Sequence, residues 1–149
     1  MSITLMVEEK KWSAKRGLSA RLKKAAVLAL ARTGNGKAAL TILLSGDRKL
    51  HTLNATFRGK DKPTNVLSFP TRQDDYLGDV ALAYGVTARE AREQKKPFAD
   101  HATHLVVHGV LHLLGYDHET APAAKIMEPL ETRILGELGI GDPYTRNAV

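Results

Sequence analysis

Residues 2–7, SITLMV, alternate between polar and apolar side chains at first, and this two-residue period predicts a short strand. From Leu18 to Ala31 the period lengthens. Leu18, Leu22, Ala25, Ala26 and Ala29 share one face of a helix, with Arg21, Lys23 and Lys24 around it. The turn-forming TGNG at 33–36 ends that helix. A second strand is expected from Ala38 to Leu44, then a helix from Gly46-Asp47 through Phe57 with Asp47 as its N-cap. The stretch RGKDKP (58–63) reads as a loop, Asn65 to Phe69 as a third strand before Pro70, and Gly78 to Tyr84 as a fourth.

In the remainder of the chain Thr87 is expected to cap a short polar helix that Pro97 closes. Asp100 should cap the next helix and Gly115 end it. Pro122 suits the first turn of a last helix, which Pro129 is expected to kink or split. Ile134, Leu135 and Leu138 would cover the core from that helix. Four strands with helices in irregular order predict an α+β fold: a single domain over residues 1–149, with a small mixed four-stranded sheet and helices packed on it.

Composition narrows the function classes. A chain of 149 residues suffices for one core, and no apolar run approaches the ~18 residues of a membrane span. MSITLMVEEKKW shows neither the order nor the small-residue cleavage site of a signal peptide, so neither a signal peptide nor membrane association is expected. There is no cysteine, which excludes disulfides and thiolate metal sites and leaves imidazole and carboxylate as ligands for a transition metal. Charge is divided unevenly: residues 1–62 carry 14 Lys and Arg against 4 Asp and Glu, residues 63–149 carry 8 against 12. A basic half beside an acidic, histidine-bearing half suits a polyanionic partner such as nucleic acid. An aromatic share of only 5% makes base stacking a minor theme.

The candidate chemistry lies in HGVLHLLGYDH, residues 108–118. Residues four apart on a helix project from one face, so His108 and His112 can bind one ion together. Gly115 permits a sharp turn, after which His118 can return to the same point. Three neutral imidazoles with a fourth position left to solvent describe a catalytic zinc site, whereas structural sites close with four protein ligands. The spacing is that of a zinc protease's metal-binding helix and turn, yet Gly109 stands where such proteases carry a glutamate. His104 continues the stripe and is expected to form a hydrogen bond behind the ligands. His101 lies near the helix start, and Asp117 either orients a ligand imidazole or caps its loop.

At HGVLHLLGYDH the chain resembles the YbeY family of bacterial metal-dependent endoribonucleases. The likeness extends to LNATFRGKDKPTNVLSFP (53–70), to LGDVALA (77–83) and to the closing Met127…Ile134-Leu135 helix. Asn65 stands where many members have Asp. The resemblance implies a zinc site made by His108, His112 and His118 and a fold distantly like that of zinc proteases. It also implies cleavage of single-stranded RNA in 16S rRNA 3′-end maturation and ribosome quality control in the cytoplasm, with ribosomal components as partners. One Zn²⁺ is the expected cofactor, although imidazole also accepts Ni²⁺ and other divalent ions.

The residues indicate how such chemistry would run. A zinc-bound water ionises near pH ~7 without an adjacent carboxylate, and RNA's own 2′-hydroxyl is the other candidate nucleophile. Peptide hydrolysis needs a proton for a poor amine leaving group, whereas phosphodiester cleavage needs charge neutralised around phosphorus. Arg58 is the candidate phosphate clamp, with Lys60 and Lys62 adding attraction. Asp79, at a strand start, is a candidate general base or water-positioning group, or else a structural acid. Two other readings compete. One is a zinc peptidase-like hydrolase, disfavoured by Gly109; the other is a non-catalytic ribosome assembly factor whose structural metal has a fourth ligand, Asp117 or His104.

Overall fold

A computed structural model describes residues 2–73 and 75–144, the side chain of Arg72 excepted. Strand β1 (Ser2–Val7) is followed by a single 3₁₀ turn at Lys10–Trp12 and helix α1 (Leu18–Arg32). Strand β2 (Ala39–Ser45), helix α2 (Asp47–Arg58), and strands β3 (Val66–Gln73) and β4 (Tyr76–Ala83) complete the sheet. Helices α3 (Tyr84–Glu93), α4 (Phe98–Leu113) and α5 (Ala121–Glu137) close the chain. The strand order is β1-β2-β4-β3, with β1, β2 and β4 parallel and β3 antiparallel to β4. This is the small mixed sheet with helices that the pattern predicts. No helix among the described residues is long and apolar enough to cross a membrane.

The two faces of the sheet are covered by different helices, as strand alternation dictates. Leu40, Ile42 and Leu44 of β2 and Val80 and Leu82 of β4 join the large core with α1, α4 and α5. Ala81 and Ala83 of β4, one residue out of phase, pack with Leu50 of α2 and Leu67 of β3 in a smaller cluster. Helix α4 is central: Ala102, Leu105, Val106, Val107, Val110, Leu111 and Leu113 are all buried. A helix enclosed on so much of its circumference is held rigidly, and it carries the histidines. Trp12, in the 3₁₀ turn before α1, is buried with its ring against Tyr84 and Phe98 and its Nε1 donating to the Ser45 carbonyl.

Several local expectations are corrected by the packing. Asp47 is the first residue of α2, after Gly46 at the cap; its carboxylate accepts from the Val86 amide and pairs with Arg89, tying α2 to α3. Thr87 lies inside α3, buried, donating to the Ala83 carbonyl one turn back. Asp100 sits in the first turn of α4, behind a cap at Pro97, and pairs with Arg21 of α1. Strand β3 continues through Pro70, which tolerates the place because β3 is the sheet's edge. Pro129 neither splits nor ends α5, which runs unbroken from Ala121 to Glu137. Burial of Met127, Glu131, Ile134 and Leu135 on one face of that helix outweighs the lost backbone bond.

Candidate metal centre

Helix α4 ends at Leu113, and Gly115 follows in the left-handed region with φ +98°. The Gly115 amide donates to the His112 carbonyl at 3.0 Å and the Tyr116 amide to Leu111 at 3.1 Å. These two bonds are the Schellman pattern that reverses a chain at a helix end. Tyr116 packs on the core, and the reversed chain carries His118 back beside the helix. Ligand nitrogens of His108, His112 and His118 lie within 4.8 Å of one another. The ring centroids are 4.6, 4.8 and 5.2 Å apart, and Nε2 of His108 and Nε2 of His112 are separated by 3.0 Å. Burial, then the charges of His108 and His118, pushes the His112 imidazole down to about 4, so its ring is neutral near pH 7 and offers a lone pair.

These donors fit a borderline-soft cation. They are imidazoles, they converge, and the one with a shifted pKa favours the ligating form. Among the described residues no fourth histidine or carboxylate joins this trio. His104 directs its Nε2 to Glu131. Asp117 accepts from the Glu119 amide, so it caps its loop.

The position after the first histidine has a physical explanation. At Gly109 helix α4 lies directly on the sheet. A Cβ there would stand 2.5 Å from Val80 Cγ1 and 3.3 Å from Ser68 Oγ and Val66 Cγ2. Ser68 also donates its hydroxyl to the Gly109 carbonyl at 2.8 Å. The residue that a zinc protease would use as an acid therefore faces a packed sheet in this chain, and only glycine fits.

A cleft of about 360 Å³ opens on the histidines and is lined on its other side by Arg58, Lys60, Lys62, Thr64 and Asn65. Arg58 ends α2 and donates from Nη2 to the Ser68 carbonyl at 3.2 Å, which draws the guanidinium over edge strand β3. Gly59, with φ +66°, then turns the basic loop, and Asn54, buried on α2, holds it by donating to the Lys62 carbonyl at 2.9 Å. A second hollow meets the first at His108, His118, Asn65 and Val66. It leads to Glu90, His101 and Tyr144. His101 is buried and bonded to Glu90 at 2.8 Å. Burial works to raise Glu90, but hydrogen bonds from His101 and Asn65 outweigh it and hold the carboxyl below its ordinary range.

Of the residues singled out in the sequence, the structure brings Arg58, His108, His112 and His118 to one cleft. It does not bring Asp79 there. Val80 faces α4, so its neighbour Asp79 points to the opposite face of the sheet, where it accepts a hydrogen bond from the Tyr76 hydroxyl. His51 pairs with Asp61 at 2.7 Å, away from the three histidines.

One residue of the site escaped the sequence reading: Glu131 of α5. Its side chain has no solvent exposure, yet it accepts from His104 Nε2 and His108 Nδ1, each at 3.0 Å, and from the Tyr144 hydroxyl at 2.6 Å. Burial works to raise its pKa, and the bonds from His104 and His108 overcome that, holding it at about 2. Burial and the bond to Glu131 push the Tyr144 phenol up. The signal was present in the sequence. Glu131 falls at helical spacing between Met127 and Ile134-Leu135, a charge on an otherwise apolar stripe.

A family model described as endoribonuclease YbeY matches residues 6–139. Among similar proteins is an endoribonuclease YbeY of Chelativorans sp. (strain BNC1), 50% identical over 141 residues, covering 89% of this chain and 86% of the relative. Another is an endoribonuclease YbeY of Rhodopseudomonas palustris (strain BisA53), 52% identical over 128 residues, covering 80% of this chain and 74% of the relative. Among solved structures, TM1509 from Thermotoga maritima matches 97% of this chain and 99% of its own, with 27% identity and a TM-score of 0.57.

Proposed function

Because the chain belongs to the YbeY family, we propose that it is a metal-dependent endoribonuclease cleaving single-stranded RNA. The observation that carries the proposal is the convergence of His108, His112 and His118 in a cleft whose other wall holds Arg58 and two lysines. Zinc is the ion the three imidazoles fit best, and when bound it supplies Lewis acidity toward a phosphate oxygen.

The remaining chemistry belongs to the chain itself. Arg58 presents a planar fork of donors, and with one nitrogen on the Ser68 carbonyl its orientation is fixed for the others to meet phosphate oxygens. Lys60 and Lys62 raise the local concentration of a polyanion without selecting among sequences. The hollow continuing past Asn65 to Glu90 gives the RNA chain room on the far side of the cleaved phosphate, as an internal cut requires. Gly109 leaves no acid behind the first histidine to protonate an amine, so the site is suited to a phosphodiester and not to a peptide. Asp79 has no part in this scheme. The setting in which we place the activity is cytoplasmic: 16S rRNA 3′-end maturation and ribosome quality control, with ribosomal components as partners.

The test is direct. Protein loaded with zinc should cut single-stranded RNA internally and leave an unstructured peptide intact. Chelation and His112→Ala should each abolish the cleavage. RNA cleavage that survives both treatments, or peptide hydrolysis that responds to them, would overturn the proposal.

A further inference from the structure

A carboxylate with no solvent exposure is costly to keep ionised, and Glu131 lies on a helix stripe where Met127, Ile134 and Leu135 pack well without it. Its cost is offset by three donors. Two of them, His104 and His108, lie on successive turns of α4; the third is the Tyr144 hydroxyl beyond the end of α5. Oε2 of Glu131 lies 3.0 Å from Nδ1 of His108, so that edge of the ring is committed to the carboxylate. Nε2, on the opposite edge of the same ring, is thereby turned to the other two histidines and lies 3.0 Å from Nε2 of His112.

From this arrangement we infer that Glu131 is a positioning residue for metal binding: it fixes the tautomer and ring orientation of His108 so that Nε2 always faces the point shared with His112 and His118. The inference rests on reading those three histidines as metal ligands. Tyr144 and His104 act one step further out, holding the carboxylate in place. Glu131 does not replace the protease glutamate, because the His108 ring lies between it and the other two imidazoles. A bound histidine whose distal N–H meets a carboxylate is a stronger and better-ordered ligand than one left free to turn. His104, His108 and Glu131 also have ligand atoms within 4.8 Å of one another, but hydrogen bonds of 3.0 Å already join both rings to the carboxylate. A second cation is therefore not expected there.

The experiment is a zinc affinity measured by competition with a chromophoric chelator, for wild type, Glu131→Gln and Tyr144→Phe. Glu131→Gln should weaken binding by roughly 10- to 100-fold while leaving one ion per chain at saturation. Tyr144→Phe, a change at a partly exposed side chain, should weaken it several-fold and keep the measurement decisive if Glu131→Gln does not fold. Affinities equal to wild type, or a second ion lost on substitution, would overturn the inference. Nitrogen NMR of the metal-free protein gives an independent readout, with His108 protonated on Nδ1. An Nε2-protonated His108 would contradict it. Failure of the metal reading looks different: wild type would bind no zinc, or His112→Ala would bind it as tightly as wild type.

Discussion

Gly109 of α4 and Val80 of β4 are in such close contact that a single added carbon at residue 109 would come within 2.5 Å of Val80 Cγ1. That contact sets helix and sheet at the distance from which His108 and His112 reach the cleft. Val80 is itself buried, so it has little space into which to yield. Gly109→Ala should therefore destabilise the protein by about 1–3 kcal/mol, the usual cost of overpacking. Urea denaturation of the metal-free proteins measures this. Equal midpoints and slopes would show that the helix can lift from the sheet without cost.

Arg58 offers a second prediction. It touches the cleft but none of the three histidines through a hydrogen bond. Arg58→Ala should reduce RNA cleavage by about 100-fold or more, as removal of a charge-stabilising donor does in other enzymes. The zinc content should stay at the wild-type value. Arg58→Lys should recover only part of the loss, since a point charge lacks the fork. Cleavage rates in single turnover, alongside elemental analysis, separate the two effects.

RNA affinity should fall as salt rises, because Arg58, Lys60 and Lys62 lie on the cleft wall and residues 1–62 carry most of the positive charge. Replacing Lys60 and Lys62 together with alanine should flatten the log–log salt slope by roughly 1–2. Filter binding with a chelated protein, which binds without cutting, measures it. A slope unaffected by the double substitution would move the RNA path off this loop.

The helices and strands were largely legible because their apolar periods are clean, as in α1 and β2. What sequence could not show was where end residues would find partners. Asp47, Thr87 and Asp100 have the chemistry of caps, but each is claimed by a neighbouring element or by its own helix backbone. The three histidines were readable because their convergence is local, within one helix and one turn. Glu131 was not, since its meaning depends on α5 crossing α4, a contact 23 residues apart in the chain. Asp79 looked available at a strand start, and the parity of β4 turned it to the other face.

Acid should destabilise the metal-free protein in two stages. His112 is depressed to about 4 from an ordinary 6.5, so its stabilising effect is complete above pH 6.5 and is lost as pH falls toward 4. Glu131 is depressed to about 2 from 4.5, so its contribution is complete above pH 4.5 and disappears on the way to pH 2. For the fully buried Glu131 this amounts to something on the order of 3 kcal/mol. Denaturation at a series of pH values should show stability falling across both windows. His112→Ala should remove the fall in the upper window. A metal-free protein that grows more stable between pH 6.5 and 4 would have the opposite linkage.

The most direct test is the metal content of the purified protein compared with its His108→Ala, His112→Ala and His118→Ala variants. The account predicts one tightly held zinc per chain in wild type and a loss of that ion in each of the three variants. A wild-type protein that takes up no zinc, or three variants that each retain it, would contradict the convergence of imidazoles on which the proposed activity depends.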